Sequence, residues 1–169
     1  ALSALGADVG FVTGPADVAP PEGVEVIAVQ TAQQMLEAVQ TALPADVAIF
    51  AAAVADWRVE GASDRKLKKS KDGLPTLSFA ENPDILAHVA QLTTGRPPLV
   101  IGLAAETNDV KANATAKRKR KGCDWIVAND VSPETGIMGG SENAVSLISD
   151  AGVEDWPRMS KDNVSRKLA

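Results

Sequence analysis

The stretch ADVAIFAA at residues 45–52 decides how this chain is read. It is a continuous apolar run closed by small alanines, the pattern of a strand buried on both faces of a parallel sheet. Working outward, the same pattern returns at LVIGLA (99–104) and, in shorter form, at WIVA (125–128). Upstream, residues 7–13 and 24–29 are predicted strands, the first ended by Gly14-Pro15. Between the strands lie segments with apolar residues at helical spacing. Residues 33–41 are a predicted helix with Thr31 as its N-cap. Residues 82–92 form another, opened by Asn82 as cap and Pro83 in the first turn. Residues 108–121 are a third.

This alternation predicts an α/β domain with a Rossmann-like, mostly parallel sheet and helices on both faces. Two pieces break the rhythm and predict β-hairpin insertions. Residues 66–80 alternate around Asp72-Gly73, a strong turn signal. Residues 144–153 turn at Asp150-Ala151-Gly152. Ser160 is then expected to cap a last helix over 161–168. The opening ALSALGADV reads as the second half of a helix running into a strand. One domain over 1–169 is therefore expected, entered after its first strand.

Composition narrows the function. With 169 residues, 45% hydrophobic and 23% charged, a soluble globular fold is expected. No apolar run approaches the roughly 18 residues that cross a bilayer, and no leader pattern is expected at the start. Cys123 and His88 are the single cysteine and the single histidine. That excludes a disulfide framework and a Cys/His zinc site, and fits a reducing cytoplasm. Catalysis by a Ser-His-Asp or Cys-His arrangement would have to run through His88, which sits in a helix-like stretch and reads as surface or packing. The net charge of −5 disfavours nonspecific binding to nucleic acid or to an anionic membrane. Positive charge is nevertheless concentrated in two runs, RKLKKSK at 65–71 and KRKRK at 117–121. Basic clusters on an acidic protein suggest a local anionic ligand such as a polyphosphate; two solvated faces are the alternative.

Ligands of open parallel sheets bind beyond the carboxyl ends of the strands. Asp56, Glu106 and Asp130 each follow or end a predicted strand, so the three carboxylates are expected at one edge. Asp and Asn at such positions also cap turns without any ligand. Lys117 and Lys121 lie four residues apart and share a helix face, a geometry suited to two phosphates of one chain. Complementarity to the negative C-terminal end of that helix competes as an explanation. Neither a P-loop nor a Gly-x-Gly-x-x-Gly fingerprint is present.

The strings AAAVADWR (51–58), KLKK (66–69), ENPDIL (81–86), IGLAAET (101–107) and GCDWIVANDV (122–131) occur in this order. Together they closely resemble the phosphopantothenate–cysteine ligase family of coenzyme A synthesis, over nearly the whole chain. The resemblance implies CTP-dependent joining of 4′-phosphopantothenate to L-cysteine through an acyl-cytidylate, with Mg2+ (or Mn2+) assisting. It implies that Phe50, Ala51 and Ala52 line the nucleotide and that Asp56 makes a metal-linked contact. It implies that Lys66 serves the activation step and that Asn82, Pro83, Asp84 and Ile85 contact the nucleotide at a helix start, where an anion could also be held. Lys117 and Lys121 match the phosphate-binding pair. Leu103 stands where relatives commonly have phenylalanine. The resemblance further implies a cytoplasmic homodimer and a fused or associated flavin-dependent decarboxylase. The family's glycine-rich N-terminal segment has no match here, so a nucleotide-binding module without turnover is the alternative. A dehydrogenase-like domain lacks its glycine fingerprint. An RNA-binding reading is disfavoured by the acidic charge and by only three Trp, three Phe and no Tyr.

Overall fold

The structure is a computed structural model that describes residues 1–61, 76–137 and 139–169. A helical turn at Ser3–Leu5 leads into strands β1 (Gly10–Thr13) and β2 (Glu25–Ala28), then helix α1 (Ala32–Thr41). Strand β3 (Val47–Phe50) is followed by β4 (Trp57–Val59), β5 (Phe79–Glu81), helix α2 (Ile85–Ala90) and β6 (Leu99–Glu106). Helix α3 (Val110–Lys121) and β7 (Trp125–Asp130) come next. Short β8 (Glu142–Asn143), the hairpin β9 (Val145–Ser149) and β10 (Gly152–Asp155), β11 (Met159–Ser160) and helix α4 (Lys161–Leu168) close the chain.

The central sheet runs in the order β10-β9-β7-β6-β3. Strands β3, β6 and β7 are parallel, and β9 and β10 add antiparallel pairs at one side. The mixed, mostly parallel core agrees with the predicted class. Alternate residues of the strands divide it into two layers. Val100, Ala104, Ile126, Ala128 and Ile148 form one buried cluster with Val89, Ala90 and Ala114, flanked by Val39, Leu43 and Phe50. That face is covered by α1, α2 and α3. Ile101, Val127, Val145 and Trp156 form the other cluster, against Val164 and Leu168 of α4. Helices therefore cover both faces, as expected.

Local chemistry explains the helix ends. Thr31 caps α1, and its side chain accepts from Gln34 N while Gln34 reaches back to Thr31 N. Ser160 caps α4 through Asn163 N. Gly122, at φ 76°, ends α3 in a left-handed turn that a side chain would resist. The second helix starts later than its sequence pattern predicts: Asp84 is the N-cap, not Asn82. Asn82 is drawn instead into the neighbouring hairpin, as described below.

Two expectations are corrected. The run at 45–52 is not buried on both faces. Strand β3 is hydrogen-bonded to β6 alone among the described residues, and its Val47 and Ile49 are 39% and 40% exposed. A continuous apolar run reports a strand but cannot tell a central position from an edge one. Strands β1 and β2 form their own parallel pair, half-exposed rather than part of the central sheet. Strand β4 was not anticipated, because three residues carry too little pattern. It pairs antiparallel with β5, forming the base of a hairpin. The predicted turn at Asp72-Gly73 lies outside the described residues. The hairpin of β9 and β10 is present as expected.

Gly102 is where α2 meets the sheet. A Cβ at this position would lie 2.6 Å from Leu86 Cδ2 and 2.8 Å from Ile126 Cδ1. Gly102→Val is expected to destabilise the fold by about 1–3 kcal/mol through overpacking. Chemical denaturation would show a lower midpoint with an unchanged slope; an unchanged midpoint would mean that α2 is free to withdraw.

Candidate functional site

The candidate site lies beyond the carboxyl ends of β3 and β6, and hydrogen bonds tie its segments together. From the hairpin side, Asn82 N donates to Asp56 O at 2.8 Å, and Asn82 Nδ2 donates to Ala55 O at 2.9 Å. The loop after β3 is thereby fastened to the segment before α2. From the helix side, Lys121 Nζ pairs with the Asp84 carboxylate. One turn earlier on the same face, Lys117 Nζ donates to Leu103 O at 2.9 Å, one residue past Gly102, where β3 ends its pairing with β6. Asp56, Asn82, Asp84, Leu103, Lys117 and Lys121 thus belong to one connected arrangement. Lys66 lies outside the described residues.

The basic run of α3 divides by side. Lys117, Arg118 and Lys121 are partly buried, while Lys119 and Arg120 are exposed. Arg118 is structural. Its guanidinium donates to Cys123 O and Asp124 O and pairs with Asp150, pinning α3 to the start of β7 and to the outer hairpin. Arg96 has a similar task, bonding Ala90 O, Pro97 O and Asp124, whose carboxylate also accepts from Val100 N. Of the pair spaced four apart, Lys117 reaches the backbone of β6 and Lys121 reaches the cap of α2.

Around this pair, Ala51 and Ala52 are exposed and leave room at the end of β3. Phe50 is half-buried and packs into the core beside α1 and α2. Its side chain therefore serves the core. Ile85 is buried under α2. Leu103 is 38% exposed, an apolar surface above the carbonyl that Lys117 holds.

The expected helix-start anion site is not supported. Helix α2 has only six residues, and the Asp84 side chain already accepts from Ala87 N at 3.0 Å. The cap's own carboxylate fills the place an anion would need. The three strand-end acids also separate. Glu106 and Asp130 face each other in register at the ends of β6 and β7, whereas Asp56 stands apart in the loop before β4. Asp130 accepts from Ser132 N at 2.8 Å, and hydrogen bonding by Ser132 holds its carboxyl below the usual range. This is the turn-capping role the sequence left open.

Among the described residues no three carboxylates, histidines or cysteines converge as a metal centre. A lone Asp56 fits a magnesium-type ion held chiefly by phosphate oxygens and water, rather than a permanently bound one. Cys123 is buried, and burial pushes its thiol up, away from the thiolate a nucleophile requires. His88 is exposed and meets Gln40 Nε2 at 2.9 Å, consistent with a surface role. Sequence reasoning missed the Asn82 tether. Its signal, Asn-Pro, is shared by helix starts and turns alike.

The fold and this arrangement define an α/β domain in which a basic helix face closes over strand ends. The chain belongs to the DNA/pantothenate metabolism flavoprotein C-terminal domain family, which it matches over residues 1–169. It is 43% identical over 170 residues to the coenzyme A biosynthesis bifunctional protein CoaBC of Vibrio parahaemolyticus, covering 99% of this chain and 42% of that protein. The CoaBC protein of Mycobacterium tuberculosis is 40% identical over 155 residues, covering 86% of this chain and 37% of that one. The chain therefore spans roughly two fifths of the length of these curated relatives. A solved C-terminal domain of a CoaBC protein superimposes with a TM-score of 0.77 at 32% identity, covering 99% of this chain and 74% of that one. A DNA/pantothenate metabolism flavoprotein from Streptococcus pneumoniae, at 17% identity and TM-score 0.75, shares the fold.

The Asp84 pair has a pH signature. Burial alone would raise this carboxyl, but the bonds from Lys121 and Ala87 N, with the nearby Arg120 charge, outweigh it and hold the group below the usual aspartate range. A depressed native carboxyl stabilises the fold above the unfolded-state pKa. That stability is lost as pH falls through the folded one. Asp84→Asn is expected to flatten the acid limb of the stability profile below the ordinary aspartate range. Asp130, Glu154 and Asp155 leave a residual slope. An acid limb identical to that of the parent would mean that the pair contributes nothing in solution.

Proposed function

We propose that this chain is the nucleotide-handling domain of a phosphopantothenate–cysteine ligase in coenzyme A synthesis, using CTP. The observation that carries the reading is the pair Lys117 and Lys121, held on one helix face against β6 and the cap of α2 in a family-matched domain. Two steps are proposed. The carboxylate oxygen of 4′-phosphopantothenate attacks the α-phosphorus of CTP, the bond to the β-phosphate breaks, and pyrophosphate leaves an acyl-cytidylate. The amine of L-cysteine then attacks the acyl carbon, CMP departs, and the amine's proton is released.

The main barrier is the approach of one anion to another, so charge neutralisation is the dominant need. Lys117 and Lys121 neutralise the β- and γ-phosphates. Lys66 offsets the charge that builds on the α-phosphate oxygens. Exposed Ala51 and Ala52 admit the nucleotide close to the backbone, and Leu103 supplies apolar surface beside it. The segment Asn82, Pro83, Asp84 and Ile85 contributes backbone groups for reading the base, positioned by the bonds from Asn82 to the loop after β3. A bound Mg2+ or Mn2+ supplies Lewis-acid neutralisation of phosphate oxygens, and Asp56 is the side chain that would hold it. None of these steps calls on a histidine base.

The proposed assembly is a homodimer joined to a flavin-dependent decarboxylase. The relatives are bifunctional proteins with more than half of their length outside the match, which supports the second part. A binding-only reading draws on a different observation. Among the described residues, β1 pairs with β2 alone and β3 with β6 alone, so the sheet that would present the nucleotide is split.

CTP is expected to raise the melting temperature of the chain more than equimolar ATP, because specific binding stabilises by mass action. Equal shifts would defeat the preference for cytosine. In a polypeptide that turns over, Lys66→Gln is expected to reduce pyrophosphate release at least about a hundredfold, the scale of losing one charge-stabilising contact. Its melting temperature should stay unchanged. Undiminished turnover would remove Lys66 from the mechanism. Turnover by this chain alone, compared with a longer relative, separates the ligase from the binding-only reading.

A further inference from the structure

The two ligand-facing lysines are not equivalent. Lys117 Nζ rests on a neutral acceptor, the Leu103 carbonyl. Lys121 Nζ rests on a full negative charge, the Asp84 carboxylate, and its side chain is only 19% exposed. We propose that Asp84 is a built-in competitor for phosphate: its carboxylate occupies, in the empty domain, the place at Lys121 that a phosphate oxygen takes on binding, and so limits the affinity for polyphosphates. This rests on the reading of Lys121 as a phosphate-binding residue.

A lysine whose side chain is mostly buried has less water at its head group and gains more from a fixed partner. Asp84 supplies that pairing from an anchored position. One of its oxygens is fixed as the N-cap acceptor of Ala87 N, while the other meets Lys121. The carboxylate therefore cannot swing away without uncapping α2. Lys121, on a flexible four-carbon stem in the last turn of α3, is the partner able to move. A triphosphate that recruits Lys121 must break this pair and then sit beside a stationary carboxylate. Its gain from Lys121 is reduced on both counts, whereas its gain from Lys117 costs only a hydrogen bond to a carbonyl. One consequence is selectivity by charge: a weakly charged anion cannot displace Asp84, and a polyphosphate can. Another is release, because the departing anion is replaced at once by an internal one.

Binding of inorganic triphosphate, measured by calorimetry at low salt, tests this in the parent, Asp84→Asn, Asp84→Ser, Lys121→Gln and the Asp84→Asn/Lys121→Gln double variant. Asn and Ser retain good capping chemistry, so α2 should persist in both. Removing the carboxylate is expected to tighten triphosphate binding about two- to fivefold, the range for a partly exposed charge pair. Lys121→Gln should weaken binding in the parent, and more strongly in the Asp84→Asn background, giving a non-zero coupling in the cycle. Equal or weaker binding by both Asp84 variants overturns the competitor role, and leaves the site reading standing if Lys121→Gln still weakens binding. Triphosphate binding unaffected by Lys121→Gln in both backgrounds removes Lys121 from the phosphates, and the inference falls with it.

Discussion

The close approach of α2 to β6 at Gly102 is the constraint on which the candidate site depends. The absence of a side chain there lets Leu86 lie directly on the sheet, with Ile126 from the next strand closing the other side. Because α2 sits low, its capping residue Asp84 comes within reach of the last turn of α3. A larger residue at 102 would lift α2. The Asp84 and Lys121 charges would part, and the segment carrying Asn82 would lose its position against the loop after β3. Packing at one backbone position thus governs electrostatics at the strand ends.

The basic run of α3 shows how one helix serves stability and chemistry through different faces. Arg118 binds the Cys123 and Asp124 carbonyls at the start of β7, and its neighbour in space, Arg96, binds the Ala90 and Pro97 carbonyls and the Asp124 carboxylate, both using the fork geometry that guanidinium groups provide. They fix where α3 sits. Lys117 and Lys121 then project from a helix whose orientation is settled, as compact charges on adjustable stems. Lys119 and Arg120 are solvated. The division follows helical periodicity: the ligand-facing pair is four residues apart, and its immediate neighbours point elsewhere.

Much of the fold was legible because periodicity and capping are local properties. Thr31 and Ser160 were readable as caps since each acts on a backbone N–H three residues away. The strands read at 99–104 and 125–128 were legible because consecutive residues of each, 100–102 and 126–128, are buried on both faces; the structure extends them to 106 and 130. Residues 45–52 carry the same apolar signature yet form an edge strand, since apolar content does not encode which neighbours a strand has. Asn82 was misread for a related reason. Asn-Pro is compatible with a helix cap, and only the presence of β4 across from β5 diverts its amide to Ala55 O. In the site, the spacing of Lys117 and Lys121 was visible, but their partners, Leu103 O and Asp84, are set by tertiary contacts and were not.

The electrostatics act on two length scales, which reconciles a net charge of −5 with the polyanionic ligand proposed for the site. Exposed charges more than about 10 Å apart are largely screened at moderate salt, so the overall sign governs solubility and nonspecific association rather than this site. Within the site the relevant charges are those in contact: Lys121 with the carboxylate of Asp84, and Lys117 with a main-chain carbonyl. There, partial burial weakens screening, and each group's partner decides how much of its charge is available. Lys117 keeps most of its charge available because a carbonyl only solvates it. Lys121 is largely compensated until something more negative than one carboxylate arrives. On the proposed reading, a domain built this way remains acidic and avoids nonspecific polyanions, while keeping a local positive field for a multiply charged ligand.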